Sequence, residues 1–339
     1  MNLNKKHKIL FIVLTLSLVF LLVLNICLGQ ISIPIKEVLK SLKGSQASKT
    51  TWEYIIFNYR LPKAITAILV GMGLSISGLL MQTLFRNPLA GPYVLGLTSG
   101  SSLGVAFVIL GAGYLPVFIA EYFLSSYGIM IASCLGSLLV LLLVLMVSNR
   151  LRDTMAILIV GLMFSSFTGA IVNVLTYFST AAELQKFTFW SMGSLGNLSW
   201  NQIVLLFASV TIGLFLSLFQ IKSLDALLLG ENYAKSMGIH FQKSKFIIII
   251  ATSILAGSIT AFAGPIAFVG LAVPHIAKMI FQTSNHWILF WSTLLFGAII
   301  MLFCDIVSQL YVSLPINAIT SIIGAPVVIW LLVKKRNFS

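Results

Sequence analysis

Long apolar stretches separated by short polar joints run the length of the chain. Ten of them are long enough to matter: 9–28, 64–85, 93–112, 129–147, 155–178, 202–219, 246–263, 266–281, 287–307 and 316–333. Each lies near the roughly 20 residues that a helix needs to cross a bilayer. None shows the period-two alternation of barrel strands, and lipid leaves no partner for unpaired backbone, so the pattern predicts helices. The pair at 246–281 is interrupted by Gly264 and Pro265. It reads either as two spans or as one broken helix with a re-entrant piece. At the start, basic Met1 to Lys8 precedes an apolar run from Ile9 to Leu28. That run is longer than a signal-peptide core and no small-residue cleavage site follows, so it reads as a retained first helix. The predicted fold is an all-α integral membrane protein, one transmembrane domain over 1–339 with halves of approximately 1–200 and 201–339.

Two polar joints have patterns of their own. In the 29–63 loop, Ile35, Val38, Leu39 and Leu42 fall at helical spacing, with Pro34 before them and Gly44 after. This predicts a short amphipathic helix, either lying on the membrane surface or meeting an outside partner. The stretch from Ile221 to Lys245 is the longest polar one inside. A short helix between Gly230 and Gly238 fits it, with a turn before it. Such a loop is an ordinary connector or a docking element.

Composition agrees with the pattern. Hydrophobic residues are 59% of the chain and charged residues 9%, with mean hydropathy +1.05. A soluble domain carries roughly 25% charge, so this chain cannot cover a water-facing surface. The net charge of +13 does not point to nucleic acid, because no basic–aromatic binding motif accompanies it. With Met1 inside, about two thirds of the 21 Lys and Arg residues fall in inner loops, which favours both termini inside. The three cysteines form no C-x-x-C pair, so neither a disulfide framework nor a zinc site is indicated.

An internal repeat is visible at an offset of 186 residues. Ile68-Leu69-x-Gly71-x6-Gly78 recurs as Ile254-Leu255-x-Gly257-x6-Gly264, and Pro88 lands on Pro274. The offset moves a span by five, which inverts its direction. Inverted repeats are a mark of transporters, and tight helix packing by small residues explains the same glycines.

The spans hold few groups capable of chemistry. Asp305 lies near the outer end of its span, within reach of the interface, which leaves its burial doubtful, and His275 follows Pro274. No paired acid–base set, metal-ligand spacing or phosphate-binding G-x-x-x-x-G-K-[ST] loop occurs. The chain therefore has no means of hydrolysing ATP by itself, and it lacks the charged chain of a proton relay. A lightly polar path is expected along the fifth span, with Ser165, Ser166 and Asn173 as its candidates.

Several longer motifs occur in order. They are Arg60-Leu61-Pro62-Lys63, Gly78-Leu79-Leu80-Met81-Gln82, Arg86-Asn87-Pro88-Leu89-Ala90-x-Pro92 and Leu95-Gly96. Then come Leu229-Gly230-Glu231-x2-Ala234-x2-Met237-Gly238, Phe268-Val269-Gly270-Leu271-x-Val273-Pro274-His275, Leu314-Pro315-Ile316 and Gly324-Ala325-Pro326. In these the chain resembles the FecCD-type permeases, the membrane subunits of ABC importers for iron–siderophore complexes, haem and cobalamin. The resemblance covers essentially everything after Gln30. It implies ten helices, a homo- or heterodimer of permeases, two cytoplasmic ATP-binding subunits and an extracytoplasmic substrate-binding protein. It implies no cofactor on this chain, since ATP and Mg belong to the partner subunits, and a bacterial or archaeal inner membrane.

The resemblance also assigns residues. The segment 225–238, with Leu229, Gly230, Glu231, Ala234, Lys235, Met237 and Gly238, would be the element that couples to the ATPase. Arg60, Lys63 and Gln309 would face the binding protein. Here the chain departs from the family pattern: Lys63 and Gln309 stand where Arg is common, and Asn285-His286-Trp287 replaces a D-H-R run. Iron–siderophore or haem is the expected cargo and cobalamin the alternative. An ion-coupled secondary transporter is the remote alternative in class. A membrane-embedded enzyme is disfavoured by the missing chemistry.

Overall fold

The computed structural model describes residues 4–29, 31–44, 48–114, 116–150, 154–196, 198–310 and 314–336, and these form helices and connecting turns without a strand. In chain order the helices are α1 (Lys5–Cys27), α2 (Ile35–Leu42), α3 (Thr50–Ile55), α4 (Leu61–Leu84), α5 (Leu97–Ile109), α6 (Val117–Phe123), α7 (Ser126–Arg150) and α8 (Thr154–Tyr177). They continue with α9 (Ala181–Ser191), α10 (Trp200–Phe219), α11 (Ile221–Leu228), α12 (Glu231–Ser236), α13 (Phe241–Ala263), α14 (Val269–Phe281), α15 (His286–Leu310) and α16 (Ile316–Arg336). Each of the ten expected spans contains a helix. Among the described residues, eight stretches are long and apolar enough to cross a membrane, and the apolar parts of α14 and α16 are shorter.

The ambiguous 246–281 stretch is two helices. Helix α13 stops at Gly264, whose φ of +76° is open to glycine and costly for other residues. Phe268 at φ +66° then turns the chain into α14. With 13 residues, α14 is about 20 Å long, short of the roughly 30 Å of a hydrocarbon core. The irregular backbone between α13 and α14 needs partners inside the protein. Asn317 supplies one, its Oδ1 accepting the Ala267 N–H at 3.0 Å. Ser194 supplies another, donating its N–H to the Ala263 carbonyl at 2.9 Å.

Helix α4 is the centre of the packing. Nearly all of it from Leu69 to Leu84 is buried, and it touches α1, α10, α11, α13, α14 and α15. In lipid the hydrophobic effect does not drive helices together, so close packing and hydrogen bonds must. Small residues provide both here. A Cβ on Gly71 would run into the Gly297 carbonyl of α15, and one on Gly78 into the Gly270 carbonyl of α14. Ser75 Oγ donates to the Thr293 carbonyl across the same contact, at 3.1 Å. Helices α5 and α7 meet in the same manner at Gly100 and Gly136. Around this centre, α1 and α10 turn Leu16, Phe20 and Phe215 outward, as a lipid-facing rim requires.

Four elements depart from the sequence reading. The connector before Gly230 is a two-turn helix, α11, and α3, α6 and α9 occupy stretches read as loops. Helix α9 had a local signal: Thr180 and Glu183 form a reciprocal capping box at its start. The 186-residue repeat is only partly reflected in local structure. Gly71 and Gly257 both lie inside long helices, whereas Gly78 is a helix-interior contact and Gly264 a left-handed helix end. Pro88 lies in a loop and Pro274 inside α14, so the coincidence at these positions does not mark equivalent structure.

Candidate functional site

Between α10 and α13 the chain leaves the bundle and builds α11 and α12, two short helices joined at Gly230. Gly230 has φ +110°, and Gly238 ends α12 at φ +78°. The ending is a Schellman closure, with Ile239 N–H on the Ala234 carbonyl and Gly238 N–H on the Lys235 carbonyl, each 3.0 Å. Ala234 is fully buried and anchors the segment. Leu229 and Met237 point away from the bundle, 66% and 60% exposed. Glu231 and Lys235 pair at 2.8 Å along the outer face of α12. The segment therefore offers apolar side chains flanked by charge, held on a glycine-bounded frame. Arg86, in the turn after α4, borders it at Gly230.

This segment is tied to the bundle by a polar chain. Asp225 of α11 accepts both the backbone N–H and the Nδ1–H of His286, at 2.8 Å and 2.7 Å. His286 is fully buried, and its Nε2 lies 2.8 Å from Thr83 Oγ1 near the end of α4. With the proton on Nδ1, Nε2 accepts from the Thr83 hydroxyl, so both ring nitrogens are satisfied by a neutral imidazole. Burial pushes the Asp225 carboxyl up, but the His286 bonds outweigh it and hold the group below its ordinary value. Asn285 caps α15, its Oδ1 accepting from Trp287 N–H at 2.9 Å and Ile288 N–H at 3.3 Å. Asparagine caps as well as aspartate, which explains how the replaced D-H-R run still starts this helix.

At the opposite end of α4 and α15 lies a second polar cluster. Asp305 is 1% exposed, which corrects the expectation that it sits near solvent. Lys63 Nζ reaches its Oδ1 at 2.9 Å. Asn25 of α1 and Gln309 donate to its Oδ2 at 2.8 Å and 2.6 Å. Arg60 is 7% exposed. Its guanidinium donates to the carbonyls of Ile26 at 2.6 Å and Cys27 at 2.8 Å, and to that of Ile31. Ile26 and Cys27 end α1, so Arg60 satisfies orphan carbonyls at the negative end of a helix dipole. Arg60, Lys63 and Gln309 come together around a cavity of about 260 Å³ shared with Gly29, Ile31, Ile55 and Tyr59. Their charges and amides are directed inward, and a docking role for Arg60 would require it to leave these carbonyls.

The expected path residues divide. Ser166 and Asn173 lie two turns apart on a face of α8 left open by the chain. Ser165 is half-buried, with its hydroxyl on the Gly161 carbonyl at 3.0 Å.

The profile of the FecCD transport family matches residues 17–334. The chain belongs to the FecCD transport family. Among its relatives, the vitamin B12 import system permease protein BtuC of Klebsiella pneumoniae subsp. pneumoniae is 34% identical over 328 residues, 96% of this chain and 93% of that one. The hemin transport system permease protein HmuU of Yersinia pestis is 33% identical over 88% of each chain. A solved structure of a metal-chelate type ABC transporter in an inward-facing conformation superposes with a TM-score of 0.85 at 30% identity, covering 96% of this chain and 99% of that one. In this FecCD protein, the apolar helices form the multi-pass membrane domain, and α11–α12 packs against α4, α13 and α15.

Proposed function

We propose that the chain is the membrane-spanning permease subunit of an ATP-driven importer, working by alternating access between two such subunits. The observation that carries this reading is the α11–α12 segment. It presents Leu229 and Met237 beside the Glu231–Lys235 pair on a frame anchored in the bundle by Ala234. A chain without a phosphate-binding loop needs an external energy source, and this surface is where one would attach. Two cytoplasmic ATP-binding subunits would seat there, carrying ATP and Mg, while this chain binds no cofactor and performs no hydrolysis. An extracytoplasmic binding protein would deliver the substrate on the opposite face. The residence is a bacterial or archaeal inner membrane.

The substrate class proposed is a large metal chelate. Iron–siderophore or haem is the first choice, in line with the likeness to HmuU and to a metal-chelate transporter. Cobalamin is the alternative, in line with the likeness to BtuC. The polar but uncharged Ser166 and Asn173 on the open face of α8 suit a path that does not hold its cargo tightly. The test is assembly: the chain co-expressed with the ATPase of its importer should co-purify as a complex. Failure of a well-folded chain to retain that subunit would contradict the reading.

A further inference from the structure

The α4–α15 pair is bound at both of its ends and in its middle. Thr83 and His286 join it at the α11 end, Lys63 and Asp305 at the other. Between them Gly71 meets Gly297, and Ser75 bonds the Thr293 carbonyl. Glycine contacts at this range leave no room for the helices to slide without separating. The two polar ends are 19 residues apart on α15 by sequence number, about 29 Å along a helix, close to the thickness of a hydrocarbon core. The pair is therefore a rigid strut across the membrane.

Asp225 is the one carboxylate of α11, and it grips this strut at its end. It takes two hydrogen bonds from His286, one of them from the first backbone N–H of α15. Bonds to a charged acceptor are stronger than neutral ones, and here the donor side is fully buried. Ile221, Leu224 and Leu227 of α11 pack beside this contact, but apolar packing alone permits α11 to roll. The carboxylate fixes direction.

We infer that Asp225, His286 and Thr83 form a clamp through which movement of α11–α12 is handed to the α4–α15 strut, and so to the Lys63–Asp305 cluster at the far face. These are positioning residues: they touch neither nucleotide nor cargo. The inference rests on the importer reading, and its test separates the two.

Leu310, the exposed last residue of α15, is replaced by a single reactive cysteine carrying an environment-sensitive fluorophore. Cys27, Cys134 and Cys304 are first changed to Ala or Ser. The permease–ATPase complex is purified, and ATP with vanadate is added, which needs no cargo. A nucleotide-dependent change in the Leu310→Cys signal is expected in the parent. It should fall by about tenfold in Asp225→Asn, the scale of losing a charge-assisted bond. Thr83→Val, which keeps shape and loses the hydroxyl, should reduce it, and Thr83→Ser should restore it. ATPase co-purification should be the same in all four. If the parent shows no change at Leu310, α15 is not the moving element and the inference falls. If Asp225→Asn or Thr83→Val responds like the parent, the clamp is not the link. If the parent complex never assembles, it is the importer reading that has failed.

Discussion

Lys63 Nζ lies 2.9 Å from Asp305 Oδ1, joining the first turn of α4 to the last turns of α15 inside the bundle. The buried Asp305 carboxylate is tolerated there because it is matched, by a Lys63 whose side chain stays partly exposed. Asn25 and Gln309 fill the second carboxylate oxygen. Removing Lys63 leaves the buried Asp305 carboxylate without its counter-charge, which costs about 3–5 kcal/mol, while removing Asp305 leaves only a partly exposed lysine and costs less. Lys63→Met and Asp305→Leu should each lower the melting temperature of the solubilised protein. The double variant should melt above both, since an apolar pair of similar volume removes both charges. Additive losses would place the two residues outside a common pair.

Gly78 sets the distance between α4 and α14. A Cβ there meets the backbone of Gly270, which has no flexible side chain to yield. Gly78→Ala should destabilise by about 1–3 kcal/mol through forced helix separation. Gly169→Ala on α8, with open space around it, should be neutral or stabilising within the same thermal assay.

Docking of the ATPase should depend on exposed apolar atoms more than on the visible ion pair. The Glu231–Lys235 bridge is an exposed i,i+4 pair, worth about 0.3–0.5 kcal/mol to the helix. Leu229→Asp and Met237→Asp place charge in the contact and should each reduce co-purified ATPase by about tenfold or more, as loss of an interface anchor does. The Glu231→Ala/Lys235→Ala double variant should weaken retention less, and in a salt-dependent way. Equal retention in all of these would move the docking surface elsewhere.

The Asp225 carboxyl has a depressed folded-state value, so its ionised form is favoured by folding. Its contribution is then complete above the ordinary value of 3.8 and is lost as pH falls through the lower folded value. The melting-temperature gap between the parent and Asp225→Asn should persist at neutral and mildly acidic pH and close below about 3.8. A gap that closes near neutrality would mean that another group dominates.

Much of this organisation was legible in the chain itself. Apolar length located the eight helical stretches long enough to cross a membrane and the two shorter apolar helices α14 and α16, because a bilayer imposes a length and lipid imposes backbone closure. The break at Gly264 was legible as a break, but the partner that satisfies the backbone beyond it, Asn317, lies some fifty residues away. The Gly230 and Gly238 bounds of α12 were readable because left-handed turns demand glycine there. The inward direction of Arg60 and the burial of Asp305 were not readable. Both follow from where α1 ends and how α15 packs, which are long-range facts. The Asp225–His286–Thr83 chain joins three segments far apart in sequence, and no local spacing announces it. The capping box of α9 is written in Thr180 to Glu183, but the apolar-length criterion that finds spans is blind to a helix this short.

The most direct measurement is ATP-driven uptake in proteoliposomes. The chain would be reconstituted with its ATPase and binding protein, and ferric siderophore, haem and cobalamin offered in turn. The account predicts uptake of one of these metal chelates that requires ATP inside, the binding protein outside and the ATPase subunit. Uptake by this chain alone down a proton or sodium gradient, with no ATPase present, would contradict it.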